Sequence, residues 1–201
     1  MKLSIKDIQQ AHERIAPYIH RTPVLESRAL NKIIGCELFF KAENLQKIGA
    51  FKARGGCNAV FSMDEASLQK GVITHSSGNH GAALAWAAAL RGAPCTVVMP
   101  ENAPVVKIAA VEGYGANIVL CEPTMAAREA MVAKLVTEQG STLVHPFDND
   151  IIIAGQGTAA IEMLDQVEGS LDIMIAPIGG GGLLAGTAIA TKALAKNTQV
   201  I

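Results

Sequence analysis

No charge of either sign dominates this chain: 17 Lys and Arg face 18 Asp and Glu, and no basic run interrupts the sequence. The electrostatic footprint of a nucleic-acid or anionic-membrane binder is therefore missing. Cysteines are few. Cys36, Cys57, Cys95 and Cys121 form no CxxC pair, and no Cys/His spacing matches a zinc site. Three of the four fall in apolar stretches and read as buried free thiols, which suits a cytoplasmic protein. No apolar run reaches transmembrane length, and the stretch from Met1 to Ile15 is amphipathic rather than leader-like. Aromatics make up only 4% of the residues, whereas Ala and Gly abound and half of the 201 residues are apolar. That is enough to bury one sizeable core or two small ones, and the small residues suit elements packed closely around a small-molecule site.

Apolar runs of strand length alternate with amphipathic runs of helix length. Ser4 caps a first helix that stops near Pro17; Arg21 to Leu25 is extended; Ser27 to Ile34 is a short helix ended by Gly35; Glu37 to Lys41 is a strand; and Phe51 to Ser62 is a helix. Strands then fall at Val72–Thr74, Cys95–Met99, Ala116–Leu120, Thr142–Val144 and Leu171–Pro177. Helices fall at Asn79–Arg91, Val105–Gly113, Thr124–Glu138, Ile152–Gln166 and from the glycines after residue 178 to about Ala195. Such alternation predicts βαβ units and parallel sheet, an α/β fold. Thr198 to Ile201 reads as the opening of a further strand that the sequence does not continue, as in a truncated chain.

Three segments carry chemistry. Lys52 opens a helix after a glycine-containing loop, in Gly49-Ala50-Phe51-Lys52-Ala53-Arg54-Gly55. It reads either as an anchored, partly desolvated and nucleophilic amine or as a surface lysine at a helix start. Ser76-Ser77-Gly78-Asn79-His80-Gly81 lies between a strand and a helix. Its small residues suit an anion cradle or, equally, a capped turn, and His80 alone reads as structural. Gly179-Gly180-Gly181-Gly182 joins an apolar strand to an Ala-rich helix and leaves the main chain free to wrap a phosphate. It is neither a GxGxxG fingerprint nor a P-loop. Asp148 and Asp150 read as a solvated turn rather than a metal site.

Together these segments resemble the fold-type II pyridoxal-phosphate enzymes, specifically the serine racemase and serine/threonine dehydratase family. Lys41 to Gly55 looks like that family's cofactor-attachment segment, Ser76 to Gly81 like its substrate loop and Gly179 to Gly182 like its phosphate loop; Ala154 to Gly157 agrees as well. The resemblance runs from about Ile5 to the last residue. It implies two open α/β domains of the tryptophan-synthase-β-like kind with pyridoxal 5'-phosphate between them: a large domain from residues 1–65 and 146–201, and a small inserted domain from residues 66–145.

The resemblance also implies roles. Lys52 would hold the cofactor covalently and move the Cα proton on one face, and Phe51 would pack beside the cofactor ring. Asn79 would contact the cofactor's 3-hydroxyl oxygen, and Gly179, Gly180, Gly181 and Gly182 would bind its phosphate. Ser76, Ser77, Gly78, Asn79 and His80 would hold the substrate carboxylate, with Ser77 returning a proton from the opposite face. The implied activity is dehydration of L-threonine or L-serine by an ammonia-lyase, with serine racemisation beside it. A 3-hydroxyaspartate dehydratase is an alternative, as is a non-catalytic fragment or binding module. The partners implied are an amino-acid substrate and a second subunit in a homodimer. The family's Mg or Ca site would lie beyond residue 201, so no metal ligand is named here. The resemblance departs at Ala82, where the family's racemases often have Gln.

Overall fold

The computed structural model describes residues 3–76 and 78–201. The chain opens with helix α1 (Ile5–Ile15), whose buried Ile8, Ala11 and Ile15 recur at helical spacing. The Asp7 carboxylate accepts from both the Ser4 N–H and the Ser4 hydroxyl, at 2.8 and 2.6 Å, and fixes the start of α1. Strands β1 (Val24–Glu26) and β2 (Phe39–Lys41) pair antiparallel around helix α2 (Arg28–Ile34). Two short 3-10 turns follow and deliver the chain to α3 (Lys52–Phe61).

Next come α4 (Glu65–Lys70), β3 (Val72–His75), α5 (Asn79–Leu90), β4 (Cys95–Pro100), α6 (Val105–Glu112), β5 (Asn117–Cys121), α7 (Met125–Gln139) and β6 (Thr142–Leu143). The strands form one parallel sheet in the order β5-β4-β3-β6. Successive residues of β4 serve opposite faces, as the pleat requires. Val97 and Met99 pack with Leu84, Ala85 and Ala88 of α5, while Val98 packs with Ile73, Cys121 and Val132 of α7. The sheet is thus sandwiched between helices, as an all-parallel sheet must be.

The chain closes with α8 (Asp150–Gln166), β7 (Ile173–Met174), α9 (Gly182–Leu194) and β8 (Gln199–Val200), which pairs parallel to β7. Among the described residues no helix is long and apolar enough to cross a membrane. Helix α8 lies between α3 and α9 at backbone contact distance. A Cβ on Gly155 would fall 2.7 Å from the Arg54 carbonyl oxygen and from the Gly55 Cα. One on Gly186 would fall 2.5 Å from the Ile153 carbonyl oxygen and 2.6 Å from the Gly157 nitrogen. Space, not backbone conformation, requires these glycines.

Sequence and structure differ by a residue or two at several element ends, and three differences have a clear local cause. Helix α4 was not expected; Asp64 caps it by accepting from the Ser67 N–H, and Gly71 ends it at φ 82°. Helix α8 starts at Asp150 rather than Ile152, because the Asn149 side chain accepts from the N–H groups of Ile151 and Ile152. The expected strand Leu171–Pro177 shrinks to two residues, since its parallel partner β8 is itself that short. Cys57, Cys95 and Cys121 are buried and free, and Cys36 is exposed.

A buried ionic cluster underlies α3. The Arg54 guanidinium is fully buried and donates to both carboxylate oxygens of Glu43 and both of Glu162, at 2.7 to 2.8 Å, and to Thr158 Oγ1 at 3.1 Å. Lys41 Nζ meets Glu162 at 2.6 Å and also donates to the Thr22 carbonyl and the Gln166 side chain. Burial alone would weaken Arg54 as a cation, but the two carboxylates outweigh it and raise its pKa. Burial alone would likewise raise Glu162, but Arg54 and Lys41 hold it below the usual carboxylate range.

Candidate functional site

Strands β3 and β6 are neighbours and parallel, so the loops leaving their carboxyl ends lie side by side, as substrate loops of open α/β sheets do. The first loop is Ser76–Gly78. The second is a strap, His145-Pro146-Phe147, that runs to the start of α8. The rings of His75 and His145 meet edge-on at 5.7 Å across the two loops.

The strap joins the two ends of the expected site. Lys52 Nζ donates to the Pro146 carbonyl oxygen at 2.6 Å. The next residue, Phe147, lies against Gly180 and Gly182 of the glycine turn. Amine and turn thus contact adjacent residues of one short segment. The Lys52 amine is largely withdrawn from solvent, which lowers its pKa, and among the described residues it forms no ion pair. The Phe51 ring lies 5.4 Å from that amine.

Three helices begin here: α3 at Lys52, α5 at Asn79 and α9 at Gly182. None of them has a side-chain cap. Ser27, Asp64, Thr124 and Asn149 cap α2, α4, α7 and α8; among the described helices α6, entered through Pro104, and α1, where Asp7 reaches back to Ser4, also lack an N-cap side-chain acceptor. An uncapped start leaves main-chain N–H donors and the positive end of the helix dipole free for an anion. Gly181 enters α9 at φ 87°, a conformation that glycine takes without strain, and Gly179 to Gly180 are solvent-exposed.

In the first loop, Ser76 Oγ accepts from the Gly78 N–H at 3.3 Å, and Asn79 is exposed. Ser77 lies outside the described residues. The His80 ring is buried. Its Nε2 lies 3.1 Å from the Val144 carbonyl oxygen, which makes Nε2 the protonated nitrogen and leaves the buried Nδ1 without a partner. Burial pushes its pKa down to about 4, so the ring is neutral near pH 7.

The residues fit pyridoxal phosphate. A desolvated amine without a counter-ion suits its aldehyde, and an uncapped glycine turn suits its phosphate; the two are linked through Pro146 and Phe147. Sequence reasoning passed over the strap. Its His145-Pro146 pair marks a break in the pattern, but nothing local says that Phe147 reaches residue 180. Asp148 and Asp150 remain at the rim of this strap; among the described residues no three metal-binding side chains gather.

A family model described as "Pyridoxal-phosphate dependent enzyme" matches residues 15–201. The chain is 54% identical over 198 residues to a serine racemase of Dictyostelium discoideum, covering 98% of this chain and 61% of that protein. It is 52% identical over 196 residues to a beta-hydroxyaspartate dehydratase of Paracoccus denitrificans, covering 98% and 62%. The structure of maize serine racemase superposes with a TM-score of 0.97 at 44% identity, covering all of this chain and 60% of that one. The chain therefore spans about three-fifths of the length of these relatives. With the amine, the glycine turn and the strap in place, this chain belongs to the family of pyridoxal-phosphate-dependent enzymes.

Proposed function

We propose that this protein is an ammonia-lyase that dehydrates L-serine and L-threonine, with serine racemisation as a second outcome at the same site. The observation that carries the reading is the Lys52 amine, desolvated and resting on Pro146, one residue from the side chain that touches the glycine turn. The two relatives described above, a serine racemase and a beta-hydroxyaspartate dehydratase, support the pairing of the two reactions.

Pyridoxal phosphate, when bound, supplies the electron withdrawal that makes a Cα proton removable. Everything else is the work of the chain. Lys52 moves the proton at Cα, and its lowered pKa raises the fraction of neutral base near pH 7. The open starts of α9 and α5 bind phosphate and substrate carboxylate, the first through Gly179 to Gly182 and the second through Ser76 to His80. Asn79 stands at the first turn of α5, suited to the cofactor's 3-hydroxyl oxygen, and Phe51 flanks the amine. The Ser77 hydroxyl delivers a proton from the opposite face when racemisation occurs.

Around this site we read residues 66–145 as a small domain inserted between two parts of a larger one, 1–65 and 146–201, supported by the self-contained sheet β5-β4-β3-β6. The longer protein would pair as a homodimer, carry its divalent metal outside this stretch and work in the cytoplasm, where four unpaired cysteines are at home.

Incubation with pyridoxal phosphate, borohydride reduction and peptide mapping test the assignment. A pyridoxyl group on Lys52 is expected; its absence from the Lys52 peptide rejects the reading. Product analysis with L-serine, L-threonine and 3-hydroxyaspartate separates the substrates, and the relative at 52% identity favours the last as the second candidate. Ser77→Ala should suppress racemisation more than elimination; equal loss of both refutes the two-face assignment.

A further inference from the structure

The glycine turn contains more glycine than its backbone conformation needs. Of Gly179 to Gly182 only Gly181 takes a positive φ. A Cβ on Gly180 would instead collide with the face of the Phe147 ring, 2.1 Å from Cγ and 2.2 Å from Cδ1. One on Gly182 would lie 3.1 Å from the Phe147 carbonyl oxygen and 3.4 Å from its Cβ. Two of the four glycines are therefore there to make room for Phe147.

The ring is held in its turn. His145 packs edge-on against it at 4.7 Å and 82°. His145 Nδ1 accepts from the Phe147 and Asp148 N–H groups, at 3.4 and 2.9 Å, and Asn149 caps α8 directly afterwards. Bare glycine main chain has the most conformational freedom to lose, so an anion cradle made of it needs an external template to be ready before its ligand arrives. We infer that Phe147 is that template: a positioning residue whose ring, laid flat on Gly180, holds the turn in its phosphate-accepting shape and couples it to the Pro146 carbonyl that holds the Lys52 amine. This inference rests on the cofactor reading given above and adds to it a residue and a cause.

The test compares the 201-residue chain with Gly180→Ala, Phe147→Ala, Phe147→Leu and the double variant Gly180→Ala/Phe147→Ala. It reads thermal melting without any ligand, and pyridoxal phosphate and inorganic phosphate binding by titration. Gly180→Ala alone should lower the melting temperature and weaken pyridoxal phosphate binding at least tenfold. Phe147→Ala should weaken binding severalfold, Phe147→Leu less. In the Phe147→Ala background, Gly180→Ala should add almost nothing to either readout. Equal harm from Gly180→Ala in both backgrounds overturns the inference, because the glycine is then needed for its own sake. Tighter binding by Phe147→Ala overturns it as well, since the ring then obstructs the turn. If the melting shifts are coupled but the unaltered chain binds neither ligand, Phe147 and Gly180 are a packing pair only and the cofactor reading fails with the positioning role. Normal binding with uncoupled melting shifts removes Phe147 and leaves the cofactor reading standing.

Discussion

Helix α3 presents two cations, two residues apart, in opposite circumstances. Arg54 is fully buried, and two carboxylates and a hydroxyl occupy its donors. Lys52 is withdrawn from water too, yet among the described residues a single carbonyl holds it and no carboxylate does. Both lose hydration on folding. Only one recovers it through ionic partners, and the lysine's pKa falls where the arginine's rises. A saturated charge fixes structure, while an unsaturated amine is available for bond formation.

The contrast is sharpest at Arg54. Arg54→Ala leaves Glu43 and Glu162 facing each other under α3 with Lys41 as the remaining cation, and should cost about 3–5 kcal/mol in urea unfolding. A loss below about 1 kcal/mol, the usual scale for an exposed ion pair, would break the comparison, because the cluster would then be no more than a surface feature.

Acid offers a second, smaller test on the reactive side. His80 has a pKa of about 4 when folded and the ordinary 6.5 when unfolded. Above pH 6.5 both states are neutral and its stability contribution is intact. As the pH falls from 6.5 towards 4 only the unfolded chain takes the proton, so stability declines, by at most about 1.4 kcal/mol per pH unit. His12 and His75 are shifted in the same direction and add to the slope. The groups that shape His80 are Lys52, His145, His75 and the Val144 carbonyl. Urea midpoints at pH 7 and pH 5 should therefore separate, and His80→Gln should narrow the gap; an unchanged gap removes His80 from the account.

The smallest stability effect is expected at Lys52. Lys52→Met removes a desolvated amine whose hydrogen bond among the described residues is to the Pro146 carbonyl, so stability should move by less than about 1 kcal/mol in either direction, while borohydride labelling is lost. A large destabilisation would mean that Lys52 is anchored as firmly as Arg54, and the two sides of α3 would no longer differ in kind.

The alternation of short apolar strands with helices was legible because burial on both faces leaves strands uniformly apolar, as in β4. Lys52 and the glycine turn were legible because each is local: a lysine opening a helix, four glycines opening another. The cluster of Lys41, Glu43, Arg54 and Glu162 was not. Each is an ordinary charged residue in sequence, and only the packing of α8 on α3, β2 and the 3-10 turn after it brings them together, across separations of up to 121 residues for Lys41 and Glu162. Phe147 escaped for the same reason, and α4 escaped because its six residues leave only Leu68 buried, too little for a periodic pattern.

The close approach of α8 to its two neighbours has a mechanical consequence. Gly155 seats α3 and the Gly157–Gly186 contact seats α9, in each case main chain on main chain, with no side chain between to rotate and give slack. The span between Lys52 and the glycine turn is gauged by one stiff block. On the proposed function, that block keeps the amine and the glycine turn at one fixed spacing while an amino acid enters and its product leaves.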